Sequence, residues 1–469
     1  MQRRYRLDWA LLPDGWARDV GVTVSADGRI EKVAAGAAPD RADAAAHRIG
    51  GYTIPGMANA HSHAFQRALA GRAEFRAAAR DSFWTWRRAM YAVANRLDAR
   101  DLQAVATLLF IEMLQSGYTS VAEFHYLHRD LDGALAADAA DAAPRTWDAL
   151  IAAARDAGIG LTLLPTLYQS ADFGGAELGP EQRRFRMTTA EFLGAVARRI
   201  AAARNADAPA LRIGAAFHSL RAVPIETIRE SARQLRALDR ELPIHIHVAE
   251  QLREVRACVR ATGARPIEWL LKSGVVDDRW CLVHCTHATR AELTGIAAAG
   301  ATVCVSISTE ANLGDGFFDA APFIAAGGRL CIGSDSQSTV DPAEELRWLE
   351  YQQRLRRRRR NVLTADGELH VGTALWRAAA RGGARALGQA VGEIAPGRRA
   401  DWIVLDGDHP AMAGARPEDA VDHLLFAGGR QAIRDTYVAG RCVLENYRHP
   451  LRAAAEERFR EAMRRIVER

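Results

Sequence analysis

Seven residues with chemically active side chains follow the ends of short apolar runs in this chain. They are His61, His63, His218, His247, Glu250, His284 and Asp335. Imidazole nitrogens and a carboxylate oxygen are the ligands that catalytic zinc uses, with one position left for water. A bound divalent ion lowers the pKa of water from 15.7 toward about 7 and so supplies hydroxide at neutral pH. These residue types therefore predict a metal-dependent hydrolytic site.

Two pairs of histidines occur in which the members are two residues apart. This spacing matters because the side chains of an extended chain alternate between its faces. His61 and His63 are therefore expected to point to the same side. His245 and His247 repeat the spacing, and His247, nearer the end of its run, is the better ligand candidate, whereas His245 is expected to pack or to support the site. Glu250 follows three residues later and suits proton transfer beside the metal. The alternative for Glu250 is a carboxylate that caps the amides of a following helix.

Strand and helix signals alternate through the middle of the chain, which favours parallel strands joined by helical crossovers. Eight such strands indicate an α/β fold, the (β/α)8 TIM barrel, rather than an open sheet. The active site of that fold lies at the carboxyl ends of the strands, where the seven residues above are placed. The predicted strands span residues 52–58, 119–124, 160–167, 211–217, 243–248, 280–283, 301–305 and 329–332.

Both termini of the chain carry patterns typical of β-strands. Near the N-terminus, Asp27-Gly28 predicts a hairpin turn between residues 20–25 and 29–33. Near the C-terminus, residues 401–405 and 435–443 are predicted strands. We expect one small β-sandwich module built from both termini, with the barrel inserted between them. The predicted domains are residues 1–55 with 390–450 for the sandwich, 56–389 for the barrel and 451–469 for a C-terminal helix.

The composition is that of a soluble globular protein, with 49% hydrophobic and 25% charged residues and a net charge of +5. One strongly basic cluster, residues 354–360, raises the question of a nucleic-acid partner. Because glutamates lie just upstream at positions 344, 345 and 350, a solvated, ion-paired helix face is the better interpretation, and no nucleic-acid partner is expected. The arginine surplus is compatible with an anionic small-molecule substrate.

The six cysteines form no C-x-x-C pair. Cys281 and Cys285 flank His284, but a zinc-thiolate site there would need further ligands of that type. Cys281, Cys304 and Cys331 lie inside apolar runs, where cysteine behaves as a small hydrophobic residue. The basic start of the chain is not followed by the apolar region of a signal peptide, and no apolar stretch approaches about 20 residues. We therefore expect a cytoplasmic protein with reduced thiols and no membrane partner.

The order H-x-H, H-x-x-E, His and Ser-Asp, together with the split β-module, resembles the amidohydrolase superfamily in its mononuclear deaminase branch. The resemblance implies one divalent metal ion, usually zinc, bound by residues that match His61, His63, His247 and Asp335. The dinuclear branch usually bridges its two ions through a carboxylated lysine in the middle of the barrel. No lysine lies between Lys32 and Lys272, so one ion is expected.

Five longer motifs narrow the resemblance to the formimidoylglutamate deiminases. They span residues 61–67, 81–87, 122–126, 217–221 and 308–316, within a similarity that runs from about residue 11 to about residue 350. The resemblance implies a homodimer that converts N-formimidoyl-L-glutamate and water to N-formyl-L-glutamate and ammonia. It also implies a metal-activated hydroxide, with Glu250 protonating the imine nitrogen and His284 polarising or deprotonating the water. Asp335, besides binding the metal, would carry a proton to the leaving ammonia.

A substrate with two carboxylates requires cationic or multiple donors, and Arg87 and Arg221 offer planar, bidentate guanidinium groups. Gln66, Tyr126 and His218 are expected to add neutral or switchable donors near the same barrel mouth. The alternatives are that Arg87 pairs with a local carboxylate and that Tyr126 belongs to the core. No role is assigned to His125, His128, His287, Trp84 or the loop 72–80.

Two other functions stay open at this stage. A deaminase of the same superfamily that acts on a heterocyclic base would keep the metal and Glu250, but is expected to lack paired arginines and to favour stacking aromatic residues. A barrel kept as a non-catalytic assembly partner would tend to lose metal ligands, and none is missing from this sequence.

Overall fold

The computed structural model describes residues 2–36, 46–76, 81–134, 143–205, 210–364 and 367–469. The strands are β1 Arg3–Leu12, β2 Gly15–Val24, β3 Ile30–Ala35, β4 His47–Pro55, β5 Met57–Ser62, β6 Tyr118–His125, β7 Gly160–Leu167, β8 Leu211–Ile213, β9 Ala215–Ser219, β10 Ile244–Val248, β11 Trp280–His284, β12 Thr302–Val305, β13 Arg329–Ile332, β14 Trp402–Leu405, β15 Ile433–Val438 and β16 Arg441–Leu444. The helices are α1 Phe83–Ala94, α2 Ala99–Ser116, α3 Arg145–Ala157, α4 Thr189–Asn205, α5 Ile225–Leu238, α6 Leu252–Thr262, α7 Pro266–Lys272, α8 Arg290–Ala299, α9 Ile307–Leu313, α10 Ala320–Ala325, α11 Pro342–Arg357, α12 Val371–Leu387, α13 Ala420–His423 and α14 Arg452–Glu468.

The predicted (β/α)8 barrel is confirmed. Its strands are parallel and follow the order β5, β6, β7, β9, β10, β11, β12 and β13, with β8 paired to the first half of β7. Most are buried along their whole length because helices cover the outside of the sheet. The single strand predicted over residues 211–217 is divided at Gly214, where an added Cβ would lie 2.6 Å from Leu164 Cδ2.

The barrel closes through its first and last strands, at the rim where the predicted site residues lie. Ser62 forms a parallel bridge with Asp335, and the amides of Ser334 and Asp335 each donate to the carbonyl of His61 at 3.0 Å. A Cβ at Gly333 would lie 2.7 Å from that same carbonyl oxygen, so only glycine permits the approach. Closure therefore places His61 beside Asp335.

The predicted β-module of the two termini is confirmed as one seven-stranded sheet in the order β16, β15, β14, β4, β1, β2 and β3. It is antiparallel except where β1 pairs with β4. The module has its own hydrophobic core, in which Trp402 packs on Tyr5 and Tyr437 with ring centroids 5.2 and 5.3 Å apart. The predicted turn at Asp27-Gly28 joins β2 to β3. The chain passes from this sheet into the barrel between Pro55, the end of β4, and Met57, the start of β5.

The basic cluster begins on α11, and its helical arginines are paired with carboxylates, as the sequence predicted. Arg354 lies 2.7 Å from Glu350, and Arg356 and Arg357 lie 3.4 and 2.6 Å from Asp319.

Three cysteines, Cys281, Cys304 and Cys331, are fully buried on neighbouring barrel strands, with Sγ atoms within 4.8 Å of one another. Among the helices that the structure describes, none has the length and apolar character of a membrane span.

Candidate metal centre and substrate cavity

Four potential metal ligands converge at the carboxyl end of the barrel. His61 and His63 are supplied by the end of β5, His247 by β10, and Asp335 by the turn after β13. The Nε2 atoms of His61 and His63 each lie 3.3 Å from Asp335 Oδ1. His247 Nε2 lies 3.1 Å from that of His61 and 3.3 Å from that of His63. One ligand atom from each residue lies within 4.8 Å of the other three.

The hydrogen bonds of two of these rings test whether the cluster suits a cation. Nδ1 of His63 donates to the Phe124 carbonyl at 2.7 Å, and Nδ1 of His247 donates to the His218 carbonyl at 2.8 Å. Burial lowers the pKa of His63 to about 3, and burial likewise holds the pKa of His247 well below its ordinary value. Both neutral rings therefore turn Nε2 lone pairs toward each other, an arrangement that a cation between them would satisfy.

The spacing of the ligand atoms also fits a small ion. Zinc–nitrogen bonds of about 2.0–2.1 Å give a tetrahedral ligand-to-ligand distance of about 3.3 Å. The separations of 3.1 and 3.3 Å that His247 Nε2 makes with the two other rings match this value. Imidazole nitrogen and carboxylate oxygen are also donor types that zinc binds in proteins. The residues present therefore fit the metal that the sequence predicts.

The backbone at this rim adopts left-handed conformations that non-glycine residues rarely take. Ala249, His284 and Asp335 have φ angles of 54°, 71° and 44°. Such residues cost about 1–3 kcal/mol each and persist where the surrounding structure holds them, commonly at active sites. The strain occurs where the chain leaves β10, β11 and β13, and it sets the direction in which His284 and Asp335 project.

Glu250 lies beside the ligand cluster without joining it. Its Oε1 is 3.8 Å from His284 Nε2, and burial raises its pKa to about 7 despite the opposing effect of His284. The alternative role as a helix cap is not seen, because α6 begins after Gln251 without a side-chain cap. Glu254 instead accepts hydrogen bonds from the amides of Ala249 and Glu250, both at 3.1 Å. Glu250 is therefore left free for chemistry.

His284 is held between carboxylates. Its Nδ1 lies 3.2 Å from Oε1 of the fully buried Glu310, and its Nε2 lies 3.8 Å from Asp335 Oδ2. Burial lowers the pKa of His284, but Glu250, Glu310 and Asp335 outweigh it and raise the pKa to about 10. Glu310 had no predicted role, although it lies within the motif 308–316.

A second buried carboxyl group without a predicted role holds the H-x-H segment in place through hydrogen bonds. Glu123, on β6, accepts hydrogen bonds from Ser62 Oγ at 2.7 Å and from the Ala64 amide at 2.6 Å. Burial raises its pKa to about 8. The only signal in the sequence was its position inside the motif 122–126.

The ligand cluster opens into a small cavity. All five residues predicted to bind substrate line it, and α1 covers one side with three further side chains. The lining comprises His63, Gln66, Phe83, Trp86, Arg87, Met90, Tyr126, His218, Arg221, His247, Glu250, His284, Thr309, Leu313 and Asp335. A larger cleft lies at the amino ends of the strands. It contains none of the predicted site residues, and Asp278 and Glu393 pair with several of its arginines.

The two cavity arginines have no carboxylate partner among the described residues. Nη2 of Arg87 donates to the Tyr168 hydroxyl at 3.0 Å, so the predicted alternative of a local ion pair is absent there. Arg221 is buried, and its Nε has no hydrogen-bond partner in the described part of the chain. Tyr168 was missed by sequence reasoning, which had no means to place it beside Arg87. Both guanidinium groups are thus available to an anion.

The neutral donors lie together in the cavity wall. Gln66 Nε2 donates to the Tyr126 hydroxyl at 2.9 Å, and the Tyr126 ring packs on His218 with centroids 5.4 Å apart. Tyr126 is both buried and part of the cavity wall. His245, by contrast, donates from Nε2 to the Ala386 carbonyl at 2.7 Å, which is a supporting contact away from the cavity.

The four residues left unassigned, His125, His128, His287 and Trp84, lie outside the cavity wall. His125 bonds to the Leu127 carbonyl and His128 to the Thr166 carbonyl, each at 2.8 Å, and His287 does not line the cavity. Of the loop 72–80, residues 77–80 lie outside the described residues. Trp84 contacts the cavity arginines from behind, with guanidinium carbons of Arg87 and Arg221 at 5.4 and 5.9 Å from its ring centroid.

Comparison with known proteins places this chain among metal-dependent hydrolases. The sequence model of the amidohydrolase family matches residues 52–443, and that of the N-terminal domain of formimidoylglutamate deiminase HutF matches residues 8–47. A formimidoylglutamate deiminase from Pseudomonas aeruginosa is 49% identical over 98% of this chain and 97% of its own length. An 8-oxoguanine deaminase from the same organism is 28% identical over 88% of this chain and 87% of its own length.

Solved structures agree with this assignment. The crystal structure of an amidohydrolase from Brucella melitensis matches with a TM-score of 0.89 and 40% identity, covering 99% of this chain and 100% of that one. An adenosine deaminase from Xanthomonas campestris, solved with bound zinc, shares the fold with a TM-score of 0.80 at 22% identity, covering 99% of this chain and 98% of that one. The chain therefore belongs to the amidohydrolase family.

Proposed function

We propose that this protein is a formimidoylglutamate deiminase, which converts N-formimidoyl-L-glutamate and water to N-formyl-L-glutamate and ammonia. One observation carries the proposal: the candidate metal-ligand cluster faces the same cavity as two arginines that have no carboxylate partner in the described ranges. The cluster suits hydrolysis of an amidine, and the arginines suit a substrate with two carboxylates. The 49% identical deiminase from Pseudomonas aeruginosa supports the same substrate.

We assign one divalent ion, zinc, to His61, His63, His247 and Asp335. When bound, such an ion polarises water and lowers its pKa toward about 7. Nitrogen-rich ligation favours zinc over the harder cations magnesium and calcium. A single ion is favoured because no lysine lies between Lys32 and Lys272 to bridge a second one.

Glu250 acts as the proton donor of the reaction. Its buried carboxyl has a pKa raised to about 7, so near neutral pH a large fraction of the molecules holds a proton for the imine nitrogen. His284 has a pKa raised to about 10, and a protonated ring has no lone pair with which to accept a proton. Of its two predicted roles, polarising the attacking water is therefore favoured over deprotonating it.

We assign different roles to the two carboxylate oxygens of Asp335. Oδ1 lies 3.3 Å from both His61 and His63 and belongs to the ligand cluster. Oδ2 lies 3.8 Å from His284 Nε2, where it is placed to carry a proton toward the leaving ammonia. Neighbouring histidines hold the pKa of Asp335 below its ordinary value against the effect of burial, so the carboxylate is ionised at neutral pH and suited to bind a cation.

Substrate recognition is assigned to five cavity residues. Arg87 and Arg221 bind the two carboxylates through charge-assisted, bidentate hydrogen bonds. Tyr126, Gln66 and His218 supply neutral donors that orient the formimidoyl end. The homodimeric state, the cytoplasmic location and the domain boundaries at residues 390 and 450 remain predictions of the sequence.

An ammonia-release assay over a small panel of substrates tests the proposal. The expected result is efficient release from N-formimidoyl-L-glutamate, weaker release from N-formimidoyl-L-aspartate and none from purines or pyrimidines. Preferred release from a heterocyclic base would replace the proposal with the second candidate, a base deaminase of the same family. No release from any of them, with no bound metal, would indicate a non-catalytic barrel.

A further inference from the structure

One tryptophan next to the cavity is surrounded by three arginines. The guanidinium carbons of Arg87, Arg221 and Arg253 lie 5.4, 5.9 and 4.3 Å from the ring centroid of Trp84. Trp84 and Arg87 belong to α1, Arg221 follows β9, and Arg253 belongs to α6. The ring thus joins the helix that covers the cavity to two segments of the barrel rim.

None of the three arginines has a carboxylate neighbour within ion-pair distance in the described part of the chain. The one hydrogen-bond partner of Arg87 there is the Tyr168 hydroxyl, Arg221 Nε is buried and unpartnered, and Arg253 is exposed. Three like charges at one ring repel one another, so the arrangement favours the arrival of an anion.

Stacking on an aromatic face leaves a guanidinium group able to bind an anion. The contact uses the flat face of the group, whereas its N–H donors lie in the plane and stay free for carboxylate oxygens. Trp84 does not line the cavity, so it reaches the substrate only through the arginines. Its contribution is to fix where their donors point.

We propose that Trp84 is a positioning residue for Arg87 and Arg221, and that Arg253 is the third cation of an entrance that captures the dicarboxylate substrate. This inference rests on the proposed function, because it takes the substrate to carry two carboxylates. Arg253 is exposed at the mouth and acts mainly on association, where attraction between opposite charges raises the capture rate and weakens with salt.

Arg253→Gln tests the third cation, and Arg256→Gln is the matched control. Arg256 is also exposed on α6, so its substitution removes the same charge from the same helix. We expect Arg253→Gln to lower kcat/KM about fivefold, chiefly through KM, and to flatten its dependence on ionic strength. Arg256→Gln is expected to keep the wild-type salt dependence. Equal effects of the two substitutions would overturn the role of Arg253.

Trp84→Leu and Trp84→Phe test the positioning role. Leucine removes the aromatic face, and we expect KM to rise about tenfold with a smaller change in kcat. Phenylalanine keeps a face for the guanidinium groups and is expected to restore most of the loss. Equal losses in both variants, or a loss confined to kcat, would overturn the positioning role.

Calorimetric titration with glutarate separates this inference from the proposed function, because binding of a simple dicarboxylate does not require turnover. Glutarate is expected to bind the wild type in a salt-dependent manner, and more weakly after Arg253→Gln than after Arg256→Gln. If that pattern holds while no ammonia is released from N-formimidoyl-L-glutamate, the proposed function fails and the arginine entrance stands. If ammonia is released but glutarate does not bind, or binds equally well to the Arg253→Gln and Arg256→Gln variants, the arginine entrance is overturned and the proposed function stands.

Discussion

Glu310 accepts a hydrogen bond from Nδ1 of His284 at 3.2 Å, and neither side chain is exposed to solvent. The carboxylate directs the opposite ring nitrogen, Nε2, toward Glu250 and Asp335, both 3.8 Å away. A buried acid behind a catalytic histidine fixes the orientation of the ring and favours its charged form. The behaviour of His284 therefore depends on a residue that faces away from the substrate.

Replacing Glu310 by glutamine should lower turnover about 10- to 100-fold, as is usual for partners that orient groups at a metal site. The amide keeps the size of the side chain but removes the charge that raises the pKa of His284. Measurement of kcat against pH in the variant is expected to show a steeper loss of activity at alkaline pH than in the wild type, because His284 then loses its proton at lower pH. A kcat profile unchanged in both height and shape would exclude this role for Glu310.

Replacing Glu250 by glutamine should lower turnover about 10³-fold, because the amide cannot give a proton to the imine nitrogen. Metal content, measured by elemental analysis, is expected to stay at the wild-type level since Glu250 is not among the ligands. Glu226→Gln, a substitution at an exposed position of α5, is the control for nonspecific effects. Near-normal ammonia release by the Glu250 variant would discard the proton-donor assignment.

The pH dependence of turnover should report the raised pKa of Glu250. Below about 7 the carboxyl holds its proton, and above that value it is lost, so the donor form disappears as pH rises. We therefore expect kcat to fall from about pH 7 upward rather than from near 4.5, the ordinary value for glutamate. Steady-state rates at saturating substrate between about pH 6 and about pH 9 check this. A flat profile through that range would argue against Glu250 as the acid.

Replacing Arg221 by methionine should raise KM for N-formimidoyl-L-glutamate about 10- to 100-fold, since a charge-assisted contact to a carboxylate is lost. Methionine keeps much of the apolar stem and removes only the charged head. The preference for the glutamate over the aspartate substrate is expected to weaken in the same variant. Unchanged kinetics with both substrates would place the carboxylate contacts elsewhere.

Much of the fold followed from the sequence because local patterns repeat. The predicted strands over residues 160–167 and 329–332 have the observed bounds. An apolar run between two helices determines where such a buried strand begins and ends. The division at Gly214 was not predictable, because it depends on Leu164 of a neighbouring strand and on Pro243, both distant in sequence.

The residue types of the candidate site could be predicted from the sequence. The side chains that hold those residues in place could not. The four residues proposed as metal ligands are recognisable from H-x-H, H-x-x-E and Ser-Asp spacing, and the structure brings them together. Glu123, Glu310 and Tyr168 act through contacts between distant segments, which no local spacing reveals. The left-handed backbone at His284 and Asp335 likewise arises where strands leave the barrel, and neither residue type favours it.

The central claim is that water replaces the terminal nitrogen of the formimidoyl group while the bond to the glutamate nitrogen stays intact. Carbon-13 NMR of N-formimidoyl-L-glutamate labelled at the formimidoyl carbon tests this most directly. The account predicts that the label appears in N-formyl-L-glutamate, with one ammonia released for each molecule formed. Label appearing in formamide, with free glutamate as the other product, would contradict it.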